Sequence, residues 1–455
     1  MSDSVNERTE IDGSGRKNSG LAALTLTQFL GALNDNILKG VVMYMVIDGA
    51  WAGMLGDGGQ GYVSLCLTVP FLMISGFAGE VADRHSKRTI SVWMKYAEVP
   101  IALVAAVGFL TDNLWITLSS LLALSAQSAV FGPAKYGMIP ELVPPSRLSQ
   151  ANGLINMMTN VAVLVGTIAA GIIADKYSPQ EASTAGQLWL PGATLLCVAA
   201  AGVAAVMFLP RLPAGNPEIR YSRNPVRVYL KTIQSMSRSP LLLIVLADGY
   251  FYLLAGLALL ILPEYTVVLA RYAVSRSEVS ILLAILGIAI GLGSAVAGFV
   301  SGRGIKPVLI PIGAAGLTIS FVLLGTIPPT LPDMAEGVRI VASSHAMFIL
   351  FAGVSAGFYL IPLQSLIQFR SSPEERGQVL GTHGAIAFLF LSIASLVYPI
   401  IRPLFGTVEG ELKTGEPQHP ERIFLICAAL MVLGAGVLLW KLKQKGLTLA
   451  PVADD

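Results

Sequence analysis

Charged and amide side chains interrupt two long apolar stretches of this sequence. The first stretch contains Asn34, Asp35, Asn36 and Lys39, and a stretch in the second half contains Asp248. Inside a bilayer each charge would cost roughly 2.5–3.5 kcal/mol, so such a side chain needs a partner or a polar cavity. A carboxylate can bind an ammonium group, and a lysine or an amide can bind a phosphate. These residues therefore predict a binding site for a zwitterionic headgroup.

The same charges have a simpler interpretation. Asp35 and Lys39 are four residues apart, so on a helix they share a face and can form an intrahelical ion pair. Lys95 and Glu98 offer a second internal pair in the third apolar stretch. Both interpretations stay open here, and Lys39 is the nearest candidate partner for Asp35.

Amides form a second pattern. Asn152, Asn156 and Asn160 recur every four residues, which builds a polar stripe on one helix face, and Gln364 and Gln368 repeat this on a smaller scale. Hydrogen bonds between helices explain such a stripe as well as the lining of a cavity does. Asn152, Asn156 and Gln364 join the charged residues above as candidate substrate-binding residues.

The sequence lacks the patterns expected of an enzyme. Residues 353–357 match the hydrolase string G-x-S-x-G, but they lie inside an apolar stretch, where small residues favour close helix packing. No histidine has an aspartate five residues later, as lipid acyltransferases do, and no Walker string for ATP is present. The cysteines and histidines are too scattered for a metal site. Proton carrying is one interpretation of His345 and His383, and a hydrogen-bonded structural role is the favoured one. We therefore expect no enzyme activity, no cofactor and no metal, whereas coupling to Na+ or H+ stays open.

The composition indicates which elements must position these residues. Of 455 residues 54% are hydrophobic and 13% are charged, about half the ~25% charge of soluble chains, and the net charge of +2 gives no basic field for nucleic acid. Twelve apolar stretches approach the ~20 residues with which a helix crosses a bilayer, which predicts an all-α polytopic membrane protein. The stretches are 21–47, 61–79, 90–111, 113–132, 149–174, 187–209, 240–263, 278–300, 307–326, 338–362, 377–404 and 422–441.

Basic residues predict the orientation. An even number of spans places both termini on one side, and the connections on that side hold most of the lysines and arginines, including Lys135 and Arg147 after the fourth span. Both termini are therefore expected in the cytoplasm. The predicted parts are a cytoplasmic tail, a six-helix bundle, a cytoplasmic linker, a second six-helix bundle and a second cytoplasmic tail. Their boundaries are 1–20, 21–209, 210–239, 240–441 and 442–455.

The linker carries its own helical pattern. Val226, Tyr229, Leu230, Ile233 and Met236 repeat at helical spacing, with basic residues elsewhere around the helix. This pattern is typical of a helix that lies at a membrane interface, although a plain solvated linker would also contain basic residues.

The two halves of the sequence repeat each other. The connection after the second span reads G-E-V-A-D-R-H-S-K-R, and an offset of 219 residues aligns three of its residues with the connection after the eighth span. The aligned pairs are Gly79 with Gly298, Arg84 with Arg303 and Lys87 with Lys306. Two six-span halves in parallel orientation are therefore expected.

The same connection resembles the signature of the major facilitator superfamily, G-x-x-x-D-R-x-G-R/K-R/K. The matching residues are Gly79, Asp83, Arg84, Lys87 and Arg88, and Ser86 replaces the second glycine. With Arg303, these five residues form the predicted conformational gate.

The gate makes a specific structural prediction. Asp83 should accept hydrogen bonds from the N-terminal end of the eleventh span, near Gly377 and Gln378, because an anion is stabilised there. The second half has Gly302 where Asp83 would repeat, so the contact is expected on one side only.

Four longer strings are similar to bacterial lysophospholipid transporters of this superfamily. They are T-Q-F-L-G-A-L-N-D-N at 27–36, F-G-P-A-K-Y-G-M-I-P-E-L at 131–142, L-S-Q-A-N-G-L at 148–154 and G-F-Y-L-I-P-L-Q-S-L at 357–366. The resemblance implies twelve helices in two pseudo-symmetric bundles and transport by alternating access. It also implies movement of lysophospholipids such as lysophosphatidylethanolamine from the outer to the inner leaflet of the bacterial cytoplasmic membrane. A separate acyltransferase or acyl-ligase would then reacylate them. The transporter is expected to be a monomer, and its other expected partners are the membrane lipids.

Two alternatives belong to other functional classes. An ion-coupled exporter of drugs or small metabolites would carry the family's Gly-Pro signature in its fifth span, but residues 149–174 contain no proline. A membrane scaffold or sensor would keep the fold and lose its intramembrane charges, whereas Asp35, Lys39 and Asp248 are present.

Overall fold

The computed structural model describes residues 3–47, 50–51, 54–55, 59–178, 186–219, 221, 224–262, 265–269, 276–302, 304–335, 338–405 and 419–444. Within these ranges the chain forms α-helices and short 3-10 turns and no β-strand. The first half contains α1 (Asp3–Ile47), α2 (Gly59–Arg84), α3 (Lys87–Leu110), α4 (Leu114–Leu142), α5 (Leu148–Tyr177) and α6 (Trp189–Val206).

The second half begins with the linker helix. Its helices are α7 (Pro225–Ser237), α8 (Leu241–Ile261), α9 (Tyr265–Val268), α10 (Arg276–Ser301), α11 (Leu309–Thr326), α12 (Val338–Val341), α13 (Ser344–Arg370), α14 (Arg376–Ile401) and α15 (Ile423–Gln444). Local sequence fixes several helix ends. Asn113 caps α4, and Asn224 caps α7 by accepting from the Val226 N–H at 3.0 Å.

Eleven of the described helices are long and apolar enough to cross a membrane. The helix that contains the first predicted span is not one of them, because Asn34, Asp35, Asn36 and Lys39 lower the mean hydropathy of α1. This helix starts at Asp3, so most of the segment predicted as a tail is helical.

Helix α4 extends beyond the fourth predicted apolar stretch. The apolar stretch ends at residue 132, but α4 continues through Pro133 and Pro140 to Leu142. Lys135 therefore lies within helix α4 and not in a loop after it. Lys87, also counted as a connection residue, starts α3 and is fully buried.

The chain divides into two compact units, of which the first contains residues 1–151, 161–235 and 368–385. In this unit α3 packs against α4 and α6, and α6 also packs against α1. Trp51, Phe109 and Tyr177 form an aromatic cluster, and the Trp51 indole N–H donates to the Asp112 carboxylate at 2.9 Å.

The second unit contains residues 152–160, 236–367 and 386–455. Here α15 packs against α8 and α11, with Phe321 and Phe424 stacked at 5.7 Å between ring centroids. The hydrolase-like string of α13 packs closely on α10, since a Cβ on Gly353 or Gly357 would overlap the α10 backbone. The Ser355 hydroxyl donates to the Phe351 carbonyl at 2.8 Å, so this string serves helix packing.

Candidate functional site

A buried ionic network lies in the first unit. Lys95 Nζ is 2.6 Å from one carboxylate oxygen of Glu98, and Asn34 Nδ2 donates to the other at 2.6 Å. All three side chains are about 1% exposed. The internal pair predicted in the third span is therefore confirmed, and Asn34 joins it from α1. The two charges neutralise each other and the Asn34 amide satisfies the second Glu98 oxygen, so the ion pair can persist without a ligand, although the Asn34 Oδ1 has no hydrogen-bond partner among the described residues.

Asp35 lies next to this network but has different partners. Its carboxylate accepts a hydrogen bond from the Ser128 hydroxyl of α4 at 2.9 Å, and both side chains are half-buried. Within the described part of the chain no ion pair joins Asp35 to Lys39, so the predicted intrahelical pair is absent from this structure. The two side chains share a helix face, but Asp35 turns toward the hydroxyl of α4.

Lys135 is a charged residue of this site that the sequence interpretation missed. It lies on α4 seven residues after Ser128, about two helical turns or ~10 Å along the helix. The Lys135 ammonium and the Asp35 carboxylate are close enough to attract each other electrostatically, without direct contact. The centre of the Phe131 ring is 5.8 Å from the ammonium group of Lys95 and 5.8 Å from that of Lys135. The string F-G-P-A-K contains Lys135, but the sequence prediction placed this residue in a connection after the span and not in α4.

Asn36 and Lys39 complete the α1 candidates. Asn36 is half-buried, and its side-chain amide donates to the Ala32 carbonyl at 2.7 Å. A Cβ on Gly166 of α5 would lie 2.9 Å from Asn36 Cβ, so α5 passes close to this turn of α1. Lys39 is also half-buried, one turn beyond Asp35.

The remaining candidates belong to the second unit. Asn152 is buried and its amide donates to the Ser365 hydroxyl of α13 at 3.2 Å, so this position of the polar stripe links two helices. Asn160 instead donates to Asn156 within α5, at 2.9 Å to the carbonyl. Asp248 in α8 is completely buried, and Gln364 in α13 is 9% exposed.

The hydrogen bonds predicted for Asp83 are present in the first unit. Its two carboxylate oxygens accept from the Gly377 N–H at 2.5 Å and from the Gln378 N–H at 2.9 Å, in the first turn of α14. Asp83 is 0% exposed, so the negative charge meets the positive end of the helix away from water. Gly79 permits this approach, because a Cβ there would lie 2.5 Å from the Gly377 carbonyl oxygen. We call the contact of Asp83 with Gly377 and Gln378 the latch.

The basic residues of the signature hold the segments around the latch. Lys87 Nζ forms a 2.6 Å ion pair with Glu141 of α4, and the Arg88 Nε donates to the Leu209 carbonyl at 2.7 Å. The Arg84 guanidinium lies 4.5 Å from the centre of the Tyr221 ring. Arg303, the last predicted gate residue, lies outside the described residues.

Both ring nitrogens of His345 have hydrogen-bond partners. One is 2.8 Å from the Tyr265 hydroxyl and the other is 2.7 Å from the Ile327 carbonyl oxygen. This agrees with the interpretation of His345 as a hydrogen-bonded structural residue.

Comparison with known proteins identifies relatives over most of the chain. A model of the Major Facilitator Superfamily matches residues 24–395. The lysophospholipid transporter LplT of Serratia proteamaculans is 26% identical over 379 residues, which cover 81% of this chain and 83% of that protein. The protein of the same name from Escherichia coli K12 is 25% identical over 421 residues, which cover 89% and 94% of the two chains.

Solved structures share the same fold at lower identity. The human organic anion transporter MFSD10 aligns with a TM-score of 0.72 and 16% identity, covering 93% of this chain and 99% of that chain. The fucose:proton symporter FucP of E. coli aligns with a TM-score of 0.66 and 13% identity, covering 92% and 98%. These likenesses concern the fold and carry no information on the substrate.

Proposed function

This chain belongs to the major facilitator superfamily, and we propose that it moves lysophospholipids such as lysophosphatidylethanolamine from the outer to the inner leaflet of the bacterial cytoplasmic membrane. In this proposal both termini are cytoplasmic and transport proceeds by alternating access. A separate acyltransferase or acyl-ligase completes the repair of the lipid by reacylation.

The arrangement of Asp35 and Lys135 is the structural observation that supports this substrate. Asp35 accepts a hydrogen bond from Ser128 of α4, Lys135 follows seven residues later on that helix, and no direct ion pair joins Asp35 to Lys135 among the described residues. A zwitterionic headgroup carries the complementary charges, an ammonium for Asp35 and a phosphate for Lys135.

The neighbouring Lys95–Glu98–Asn34 network helps to explain why these two charges remain for a ligand. Lys95 and Glu98 form an ion pair at 2.6 Å, so the charge of Lys95 is already matched by an anion. Ser128 donates one hydrogen bond to Asp35, which orients the carboxylate and leaves its negative charge. A bound ammonium would compensate this charge, and release of the lipid would remove the compensation.

The relatives support the same substrate class. Two proteins named lysophospholipid transporters align over 81% and 89% of this chain. The four sequence strings similar to these transporters lie in α1, in α4, at the start of α5 and in α13. The first contains Asp35 and the second contains Lys135.

The direct test uses the purified protein in liposomes. Lysophosphatidylethanolamine with a fluorescent acyl chain is placed in the outer leaflet, and its loss from that leaflet is followed by quenching with an impermeant reductant. Lipid movement above that of protein-free liposomes is expected, and a parallel panel of small soluble solutes should show none. Movement of soluble solutes alone would refute the lipid assignment and favour an ion-coupled exporter.

A matched set of variants ties the activity to the site. Asp35→Asn and Lys135→Gln should each abolish most lipid movement, while Lys176→Gln, an exposed lysine at the end of α5, should retain it. Equal rates in all three variants would refute the headgroup assignment even if the lipid is transported.

A further inference from the structure

The linker helix α7 presents three distinct faces. Val228 and Thr232 are buried, at 2% and 4% exposure. Val226 and Leu230 form an apolar stripe that is 60% and 63% exposed.

The third face of α7 is basic. Arg227 and Lys231 are exposed, and at 100° per residue they lie about 100° around the helix from the apolar stripe. Between residues 219 and 237 the sequence contains no aspartate or glutamate.

These faces match the surface of an anionic membrane. A helix that lies in the interface places its apolar stripe in the acyl boundary and its basic stripe among the headgroups. The apolar stripe also continues a lipid-facing surface, because Met73 and Phe77 on the same part of α2 are 65% and 40% exposed. A soluble partner protein would meet this surface only by displacing lipid from α2.

One tyrosine joins α7 to the membrane-spanning helix α2. The Tyr229 hydroxyl accepts a hydrogen bond from the Gly76 N–H at 2.8 Å and donates to the Leu72 carbonyl at 2.9 Å. These two groups are four residues apart and would normally bond to each other, so the hydroxyl is inserted into the hydrogen-bond ladder of α2. Insertions of this kind bend helices.

The local chemistry makes this insertion specific. A Cβ on residue 76 would lie 2.7 Å from the Tyr229 ring, so the ring fits only against glycine. Burial raises the pKa of Tyr229, which keeps the hydroxyl protonated as the donor to Leu72. Phenylalanine at position 229 would fill the same space, but without the hydroxyl it would not bridge the Gly76 N–H and the Leu72 carbonyl.

The linker also contacts the latch. The Asn216 N–H donates to the Asp83 carbonyl at 2.8 Å, and the Ser235 hydroxyl donates to Glu375 at 3.0 Å, directly before α14. The segment of α2 that follows Tyr229's insertion carries Gly79 and Asp83. A displacement of α7 therefore moves or releases the elements that form the latch.

We propose that α7 docks on the anionic headgroups of the cytoplasmic leaflet and that Tyr229 couples this docking to the Asp83 latch. Lipid composition would then set how firmly the latch is held, whatever substrate the protein carries. This inference requires only the membrane orientation of the chain and is independent of the lysophospholipid assignment.

Docking is tested by thermal unfolding in neutral detergent with added phosphatidylglycerol or phosphatidylcholine. Phosphatidylglycerol should stabilise the wild-type protein more than phosphatidylcholine. Each basic residue near a charged surface contributes about a fivefold factor, so Arg227→Gln with Lys231→Gln should weaken the apparent affinity about thirtyfold. Arg211→Gln, an exposed linker arginine outside α7, should keep most of the effect. Equal stabilisation by both lipids, or full phosphatidylglycerol dependence in the double variant, would overturn the docking surface.

Coupling is tested with a reporter cysteine at the latch. Ser75 is 3% exposed beside Gly381 of α14, so Ser75→Cys in a background without the native cysteines reports opening by its reaction with a maleimide. Phosphatidylglycerol vesicles should slow the reaction relative to phosphatidylcholine vesicles. Tyr229→Phe should remove this lipid dependence while the thermal stabilisation by phosphatidylglycerol persists. If the lipid dependence of labelling survives in Tyr229→Phe, the hydroxyl does not transmit docking and the coupling is wrong.

Discussion

Removal of the Asp83 charge should open the latch in a graded way. Asp83→Asn keeps an oxygen that can accept one hydrogen bond and loses the negative charge, whereas Asp83→Ala loses both. The two variants separate the electrostatic contribution of the carboxylate from its hydrogen bonds.

The geometry sets the size of each effect. A charge at a helix terminus contributes up to about 2 kcal/mol, so Asp83→Asn should shift the ratio of open to closed latch by up to about thirtyfold. Asp83→Ala also leaves the N–H groups of Gly377 and Gln378 without an acceptor, at a site where the Asp83 side chain is 0% exposed to water. A buried donor without a partner costs about 1–3 kcal/mol, so alanine should have the larger effect.

The assay measures the maleimide reaction of Ser75→Cys in proteoliposomes together with lipid transport. Reactivity should increase from wild type to Asp83→Asn to Asp83→Ala, and turnover should decrease in the same order while substrate binding persists. Asp175→Asn provides the matched control, because it removes an exposed carboxylate from the end of α5.

Wild-type reactivity and wild-type transport in both Asp83 variants would refute the latch. Asp83 would then only terminate α2 in a cytoplasmic connection. A larger effect of asparagine than of alanine would contradict the energetic order, because the alanine variant loses every interaction that the asparagine variant loses.

Three further perturbations address other parts of the structure. Asp35→Asn should keep the thermal stability of the protein and sharply lower lipid transport, as should Lys135→Gln; wild-type transport in both would leave these residues a structural role. Glu98→Gln leaves the Lys95 ammonium buried without its anion and should lower the free energy of unfolding by about 3–5 kcal/mol. The double replacement Lys95→Met with Glu98→Leu should lower the free energy of unfolding less, and denaturation in detergent measures both effects. Gly79→Ala places a Cβ 2.5 Å from the Gly377 carbonyl oxygen and should raise the reactivity of the latch reporter without changing the charge, so unchanged labelling would contradict the close approach.

Hydropathy predicted the helical architecture because a helix needs about 20 apolar residues to cross a bilayer, and this property is local in sequence. It located α1 although the residues from Asn34 to Lys39 lower its hydropathy, but it ended the fourth stretch at residue 132, ten residues before the end of α4.

Pairing across helices was harder to predict. Asp35 and Lys39 satisfy the spacing rule for an ion pair. Asp35 instead accepts a hydrogen bond from the neutral Ser128 hydroxyl of α4, a contact that does not require a second charge to be buried. The Lys95–Glu98 pair was recognised because its partners are three residues apart on one helix, whereas the contribution of Asn34 required the packing of α1 on α3. Sequence spacing therefore identifies partners within a helix, and tertiary structure is needed for the others.

The asymmetry of the latch shows how one residue changes a repeated motif. At the position that repeats Asp83, Gly302 has φ +61° and follows the last residue of α10, Ser301. A residue in this left-handed conformation ends a helix, and glycine adopts it without strain. In the first half α2 instead continues to Arg84, so its final turn presents the Asp83 carboxylate to α14. Gly302→Asp would therefore place a carboxylate on strained backbone, and it should destabilise the end of α10 without creating a second latch.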